Sequence, residues 1–179
     1  MELVILVDEL DNELGTIEKM EAHKLGVLHR AFSVFIFDKE GRMLLQQRAL
    51  HKYHSGGLWT NACCSHPRPG EKVDLAAKRR LKEEMGIEAD LEPMFNFTYE
   101  ARFENGLIEH EFDHVFFGQY NGELLPNKQE VMNTKLAAIE DISKQIREEP
   151  GKFTAWFLIA FNLVENWFAK NRNRIIRKY

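Results

Sequence analysis

The segment from His66 to Gly86 constrains the fold more than any other part of the chain. Its opening, His66-Pro67-Arg68-Pro69-Gly70, breaks regular structure. Beyond the break, Leu75, Ala76, Leu81 and Met85 supply an apolar face for a helix. Asp74 stands where a cap is expected, and Gly86 stands where the helix must end. Arg79 and Glu83, and Arg80 and Glu84, are four apart and pair along the helix surface.

Such a helix needs a sheet to cover its apolar stripe, and the preceding sequence is mainly β in pattern. Alternation and β-branched or aromatic content predict strands over 3–7, 31–37, 43–47 and 59–63, with Asp38-Lys39-Glu40-Gly41 as a hairpin turn. Further on, 95–103 and 108–120 flank the turn signal Glu104-Asn105-Gly106. A strand is expected over 131–138, helices over 139–149 and 154–170, and a solvated basic end over 172–178. At 179 residues without repeats or a low-complexity linker, the chain reads as one domain, 1–179.

With 24 basic against 28 acidic residues and 44% hydrophobic positions, the chain resembles neither a nucleic-acid binder nor a disordered tail. The expected partner is a small molecule, with no nucleic acid and no membrane. The apolar run 3–7 is short and lacks a basic start, so a cytoplasmic location is expected. The run 156–164 is apolar, but Asn162, Glu165 and Asn166 interrupt it, which reads as a core helix. The two cysteines, Cys63 and Cys64, are adjacent and cannot staple distant segments; a reduced compartment fits.

Three constellations offer chemistry. Thr60-Asn61-Ala62-Cys63-Cys64-Ser65-His66-Pro67 places a thiol and an imidazole two positions apart, on one face if the chain stays extended. Glu109-His110-Glu111 projects two carboxylates together and turns His110 away. Carboxylates so paired in a closed site repel unless a cation compensates them. His23 and His29 lie ahead of the strand at 31–37, separated by a loop-like 24–28. Three imidazoles with two carboxylates suit Mn²⁺, Zn²⁺ or Fe²⁺ better than an all-oxygen calcium site. Each constellation taken alone is also compatible with ordinary packing or a solvated strand face.

The helix resembles a degenerate Nudix box, G-x5-E-x7-R-E-U-x-E-E-x-G-U, through Glu71, Arg79, Leu81, Glu83, Glu84, Gly86 and Ile87. Ser65 replaces its first glycine, and Arg80 replaces the glutamate that follows the box arginine. Loss of that glutamate argues against diphosphate hydrolysis, because it belongs to the carboxylate cluster that positions magnesium. Across nearly the whole chain the sequence is similar to the type 1 isopentenyl-diphosphate delta-isomerases. The carriers include 28–33, Gln47-Arg48, Trp59-Thr60-Asn61, 64–67, Arg79-Arg80 with Glu83-Glu84, Tyr99 and Glu109-His110-Glu111.

That resemblance implies a Nudix-like α/β (α+β) fold, mixed β-sheets flanked by helices, and an isomerase of isoprenoid biosynthesis acting on a small diphosphate. It implies a protein-bound divalent metal, Mn²⁺, Zn²⁺ or Mg²⁺, on His23, His29, His66, Glu109 and Glu111. A Mg²⁺ would accompany the substrate diphosphate and be reached by Glu84 and the Cys64 carbonyl. Lys19, Arg48, Lys52 and Arg80 match its diphosphate-binding residues. Cys64 and Glu111 match its proton-transfer groups, with Tyr99 bonded to Glu111 and donation to the alkene assigned to the Glu111–Tyr99 pair. Trp156 matches a tryptophan whose π face could stabilise a carbocation; here Ala155 replaces a commoner proline. The aromatic, apolar carboxy-terminal helix is expected as a lid over the pocket, as ordinary core packing, or as both, and the expected assembly is a monomer or weak homodimer. Two other functions fit parts of the pattern: hydrolysis of a nucleoside diphosphate derivative, and non-catalytic binding of metal or phosphate.

Overall fold

A computed structural model of the chain describes residues 2–176. It opens on an antiparallel pair, β1 (Leu3–Val7) and β2 (Glu13–Glu18), and passes directly into a short helix, α1 (Lys19–Leu25). Neither β2 nor α1 was expected from the sequence. The Asp8 carboxylate takes the Leu10 and Asn12 amides to close the turn, and the Glu18 side chain caps α1 by accepting from the Glu21 amide. At seven residues, α1 is too short for helical periodicity to stand out.

Next come β3 (His29–Phe37) and β4 (Met43–Arg48), joined by the expected hairpin at 38–41. Two short strands follow, β5 (Trp59–Thr60) and β6 (Cys63–Ser65). A single strand over 59–63 was expected, and Asn61 is the reason it splits. This buried amide donates to the carbonyls of Val34 and Cys63, at 3.1 Å and 2.9 Å, in place of ladder bonds. The chain thereby leaves β4, the partner of β5, for β3, the partner of β6.

The helix α2 spans Val73–Met85. Its cap is Lys72, without a side-chain bond, so Asp74 falls in the first turn rather than at the cap; there its carboxylate meets the positive end of the helix dipole. Gly86 ends the helix as expected, at φ 68°. A Cβ on Gly86 would stand 2.7 Å from the Leu125 Cβ, so both backbone conformation and space demand glycine.

The long hairpin β7 (Leu91–Arg102) and β8 (Ile108–Gln119) is followed by β9 (Val131–Ala137), α3 (Ile139–Glu148), one 3-10 turn at Pro150–Lys152 and α4 (Ala155–Ile176). α4 runs past the expected end at 170. Within 172–178, expected as a solvated tail, Ile175 is buried and Arg172 and Arg174 are exposed on the helix; residues 177 and 178 lie outside the described residues. No helix among the described residues is long and apolar enough to cross a membrane.

β3 organises the molecule. It pairs parallel with β8 along its whole length and antiparallel with β1, β4 and β6, making the sheet mixed. Its side chains alternate between two cores. Phe32, Val34 and Ile36 meet Leu81 and Met85 of α2, whereas Phe35 and Phe37 meet Phe157, Phe161 and Phe168 of α4. The result is the expected α/β arrangement, a mixed sheet flanked by helices. Phe157 is fully buried and stacks on Phe35 and Phe153. Phe157→Ala is expected to destabilise the fold by about 3–5 kcal/mol through the cavity it leaves, read as a lower midpoint in urea unfolding. An unchanged midpoint would show that α4 is not anchored there.

Candidate active site

A cavity of about 590 Å³ opens where the ends of β3, β6, β7 and β8 meet α2 and the first turn of α4. The register of β3 sets its geometry. Ser33 lies opposite Cys64 on β6, and His29 lies opposite Glu111 on β8. Four residues of strand separate these two positions, about 13 Å along β3. Cys64 and Glu111 therefore enter the cavity from separate places, leaving room for a small substrate between them.

Cys64 is half-buried and closely held. Its thiol donates to Asn61 Oδ1 at 2.9 Å, accepts from the Trp156 indole N–H at 3.1 Å and lies 3.4 Å from Ser33 Oγ. Ser33 Oγ donates in turn to the buried Asp113 at 2.7 Å. Burial, reinforced by the Asp113 charge, pushes the Cys64 thiol well up from its ordinary value. Cys63 points the other way, into the core under α2.

On the other side, Glu111 accepts from the Tyr99 hydroxyl at 2.6 Å and lies 2.9 Å from His66 Nε2 and 3.6 Å from His29 Nε2. Burial opposes its charge, but the two imidazoles outweigh burial and hold its carboxyl well below the usual range. Glu109 has the opposite balance: burial, then the neighbouring Glu111 charge, hold it up. Tyr99 also reaches Glu109 at 3.2 Å. As expected, the two glutamates face inward together, and His110 turns away toward the Gly26 carbonyl, 3.0 Å distant.

The structure brings His23, His29, His66 and Glu111 together, with one potential ligand atom from each within 4.8 Å of all the others. A loop is expected across 24–28, but His23 sits on α1, which continues through Lys24 and Leu25, and His29 opens β3. Nε2 of His23 and Nε2 of His29 are buried without hydrogen-bond partners, and Nε2 of His66 faces Glu111 at 2.9 Å. Buried unpaired nitrogens are costly, so a divalent cation among them fits the donor set. Glu109 lies outside that quartet and groups instead with His23 and His54. Burial, with the Arg48 charge second, holds His54 down at about 3; burial holds His66 down at about 4.

The expected anion-binding residues Lys19, Arg48, Lys52 and Arg80 line the cavity, and each has an acidic or aromatic neighbour. Arg80 donates to Glu84 at 2.6 Å, to Glu83 at 2.8 Å and to Glu130 at 3.3 Å, and Lys52 also bonds Glu130. Lys19 pairs with Glu2 at 3.1 Å. The Arg48 guanidinium lies 5.1 Å from the centre of the Trp156 ring, so the π face expected to meet a carbocation carries a cation in this structure. Nε of Arg48 and Nε of Arg80 are buried and unpartnered. Trp156 is the part of α4 that reaches the cavity lining, while Phe157, Phe161 and Phe168 serve the core.

His54 and Glu130 were not singled out in the sequence. The signal for His54 was the polar run His51-Lys52-Tyr53-His54 ahead of two glycines. Gly56 lets that loop close on itself, since a Cβ there would stand 2.4 Å from the Leu50 carbonyl oxygen. Glu130 precedes β9, with no motif around it to separate it from neighbouring polar residues.

Residues 27–157 match the NUDIX domain family model. The chain is 49% identical over 161 residues to isopentenyl-diphosphate Delta-isomerase 2 of Aromatoleum aromaticum, covering 90% of this chain and 85% of that one. It is 52% identical over 156 residues to isopentenyl-diphosphate Delta-isomerase of Burkholderia multivorans, covering 87% and 89%. In fold it is similar to a crystal structure of a Deinococcus radiodurans protein, with TM-score 0.69 and 18% identity over 83% of this chain and 90% of that one. The sequence similarity covers 87–90% of this chain, far more than the Nudix helix alone, and the chain belongs to the isopentenyl-diphosphate Delta-isomerase family, within the NUDIX fold.

Proposed function

We propose that the protein interconverts isopentenyl diphosphate and dimethylallyl diphosphate by adding one proton and removing another, through a tertiary carbocation. One observation carries this reading: Cys64 and the Glu111–Tyr99 pair, groups able to move protons, face the same cavity from separate strands. Relatives bearing the isomerase name at about half identity support the substrate.

The diphosphate lies against these cationic side chains. The unpartnered Nε–H groups of Arg48 and Arg80 turn to its oxygens, and Lys19 and Lys52 exchange their carboxylates for phosphate. Glu84 and the Cys64 carbonyl would hold a Mg²⁺ that arrives with the diphosphate; such an ion screens phosphate charge. In a hydrolase the box position of Arg80 carries a carboxylate that serves the metal. Here a guanidinium faces the phosphate, which favours binding over hydrolysis.

Glu111–Tyr99 donates to the terminal alkene carbon on one face, and Cys64 accepts from the carbon two positions away on the other. Both groups exchange roles in the reverse direction. Trp156 holds the thiol through its indole N–H and walls the cavity against water, which would capture the cation.

His23, His29, His66, Glu109 and Glu111 would hold the protein-bound divalent ion, Mn²⁺, Zn²⁺ or Mg²⁺, whose charge would compensate the two glutamates and tune the proton affinity of Glu111. Its binding is expected to release protons near neutral pH. His29 is raised: burial works against its charge, but the Glu111 contact outweighs it. Glu109 is raised as well, and both must lose any proton before coordinating. Metal affinity therefore falls as pH drops through these raised values. Calorimetric titration of Mn²⁺ in buffers of different ionisation enthalpy reads the proton count; buffer-independent heats would contradict it.

The function itself is tested by supplying isopentenyl diphosphate with Mg²⁺ to metal-replete protein and separating the products. Dimethylallyl diphosphate is the expected product. Phosphate released from nucleoside diphosphate derivatives, without isomerisation, would make the protein a hydrolase instead; neither activity would leave a binding module.

A further inference from the structure

We propose that His54 is a further ligand of the divalent ion at the His23, His29, His66, Glu109 and Glu111 site, coordinating through Nε2. The proposal rests on the metal-binding reading of those five residues and extends it.

The His54 ring is held in place. Its side chain is 3% exposed. It stacks on Phe103 at 4.6 Å with 15° between the ring planes, meets the Trp156 ring edge-on at 5.8 Å, and has Nδ1 3.2 Å from Ser55 Oγ. With the ring fixed and Nδ1 occupied, Nε2 is the nitrogen left free beside Glu109. That nitrogen is buried and makes no hydrogen bond, although Glu109 Oε1 lies only 3.1 Å away. The distance is short enough for a hydrogen bond, but the direction is wrong for one.

A shared ion accounts for both facts. Adjacent donors around an octahedral ion, with bonds of about 2.1–2.2 Å, are about 3 Å apart, and opposite donors are about 4.3 Å apart. His54, His23 and Glu109 place their donor atoms within 4.8 Å of one another, and His23 belongs equally to the group with His29, His66 and Glu111. One imidazole thus ties the two groups into a single centre, and His54 supplies a sixth ligand. A site closed in this way leaves no coordination position for substrate or water. The ion then acts on the alkene chemistry only through the charge it places beside Glu111.

Mn²⁺ affinity, measured by calorimetry on apo protein, and pulsed-EPR nitrogen couplings of the Mn²⁺ form separate ligation from support. His54→Ala and His54→Gln are each expected to weaken Mn²⁺ on the order of 100-fold, and to remove one of four imidazole couplings. His54→Gln preserves volume and polarity, and circular dichroism checks that it folds. Weakened binding with all four couplings retained is impossible for a ligand; weakened binding with three couplings in both wild type and variant would make His54 a support for Glu109 and overturn the proposal. Unchanged affinity would overturn it as well. His66→Ala serves as the control. If it weakens Mn²⁺ and the His54 variants do not, His54 alone is excluded; if none of the three weakens it, the five-residue site falls too.

Discussion

Cys64→Ala is expected to lower kcat by about 10³-fold or more while leaving Mn²⁺ affinity unchanged. A positioned acid or base contributes roughly 10²–10⁴-fold, and this thiol has no neighbour of similar chemistry to replace it, because Cys63 faces the core. The substitution also leaves the Trp156 N–H without its acceptor, which costs about 1–3 kcal/mol if water does not enter. Cys64→Ser separates the two effects. A hydroxyl keeps an acceptor for Trp156 but is a far weaker acid than a thiol, so the serine variant should recover stability without recovering turnover. Turnover within a few fold of wild type in either variant would remove Cys64 from the proton path.

Glu111→Gln is expected to be as damaging to turnover and, unlike Cys64→Ala, to weaken the metal as well. The carboxylate takes the Tyr99 proton at 2.6 Å and lies 2.9 Å from His66 and 3.6 Å from His29. An amide of the same shape keeps the hydrogen bond to Tyr99 but can neither carry the transferred proton nor supply charge to a cation. Loss of kcat by about 10³-fold or more, together with weaker Mn²⁺ binding by calorimetry, is the expected pair of results. Loss of turnover at full metal affinity would leave Glu111 as an acid or base alone. Normal turnover would exclude it from both roles.

How much of this was legible in the sequence follows from how far each signal reaches along the chain. The α2 helix, its Gly86 end and the β7–β8 hairpin were read correctly because periodicity and turn residues are local properties. Within β8, simple alternation was enough to turn Glu109 and Glu111 inward together and His110 outward. Asp74 lies two residues inside the helix rather than at its cap because Lys72 begins the helix without a side-chain bond, which no residue pattern announces. The strand at 59–63 split because the Asn61 amide bonds Val34, 27 residues earlier, a contact that alternation cannot reveal.

The same limit applied to the cavity. His23 belongs to a helix too short to leave a periodic trace, and it meets His29, His66 and Glu111 only when α1, β3, β6 and β8 converge. His54 and Glu130 act from loops with no strong motif, and their partners Glu109, Arg80 and Lys52 lie 50 or more residues away, as the Arg80–Glu130 and Lys52–Glu130 separations illustrate. Resemblance of the chain to a family supplied the grouping of five metal-binding residues; the coordinates place four of them in one cluster and link Glu109 to it through His23.

The most direct test of proton transfer through Cys64 and Glu111 is to run the isomerisation in D₂O and locate deuterium in the product by NMR. Both groups exchange with solvent between turnovers, so deuterium is expected in the methyl group formed from the terminal alkene carbon, and repeated reversal should also label the carbon that loses its proton. Dimethylallyl diphosphate formed without deuterium would mean that one group carries the same proton across the substrate, contradicting the two-group mechanism.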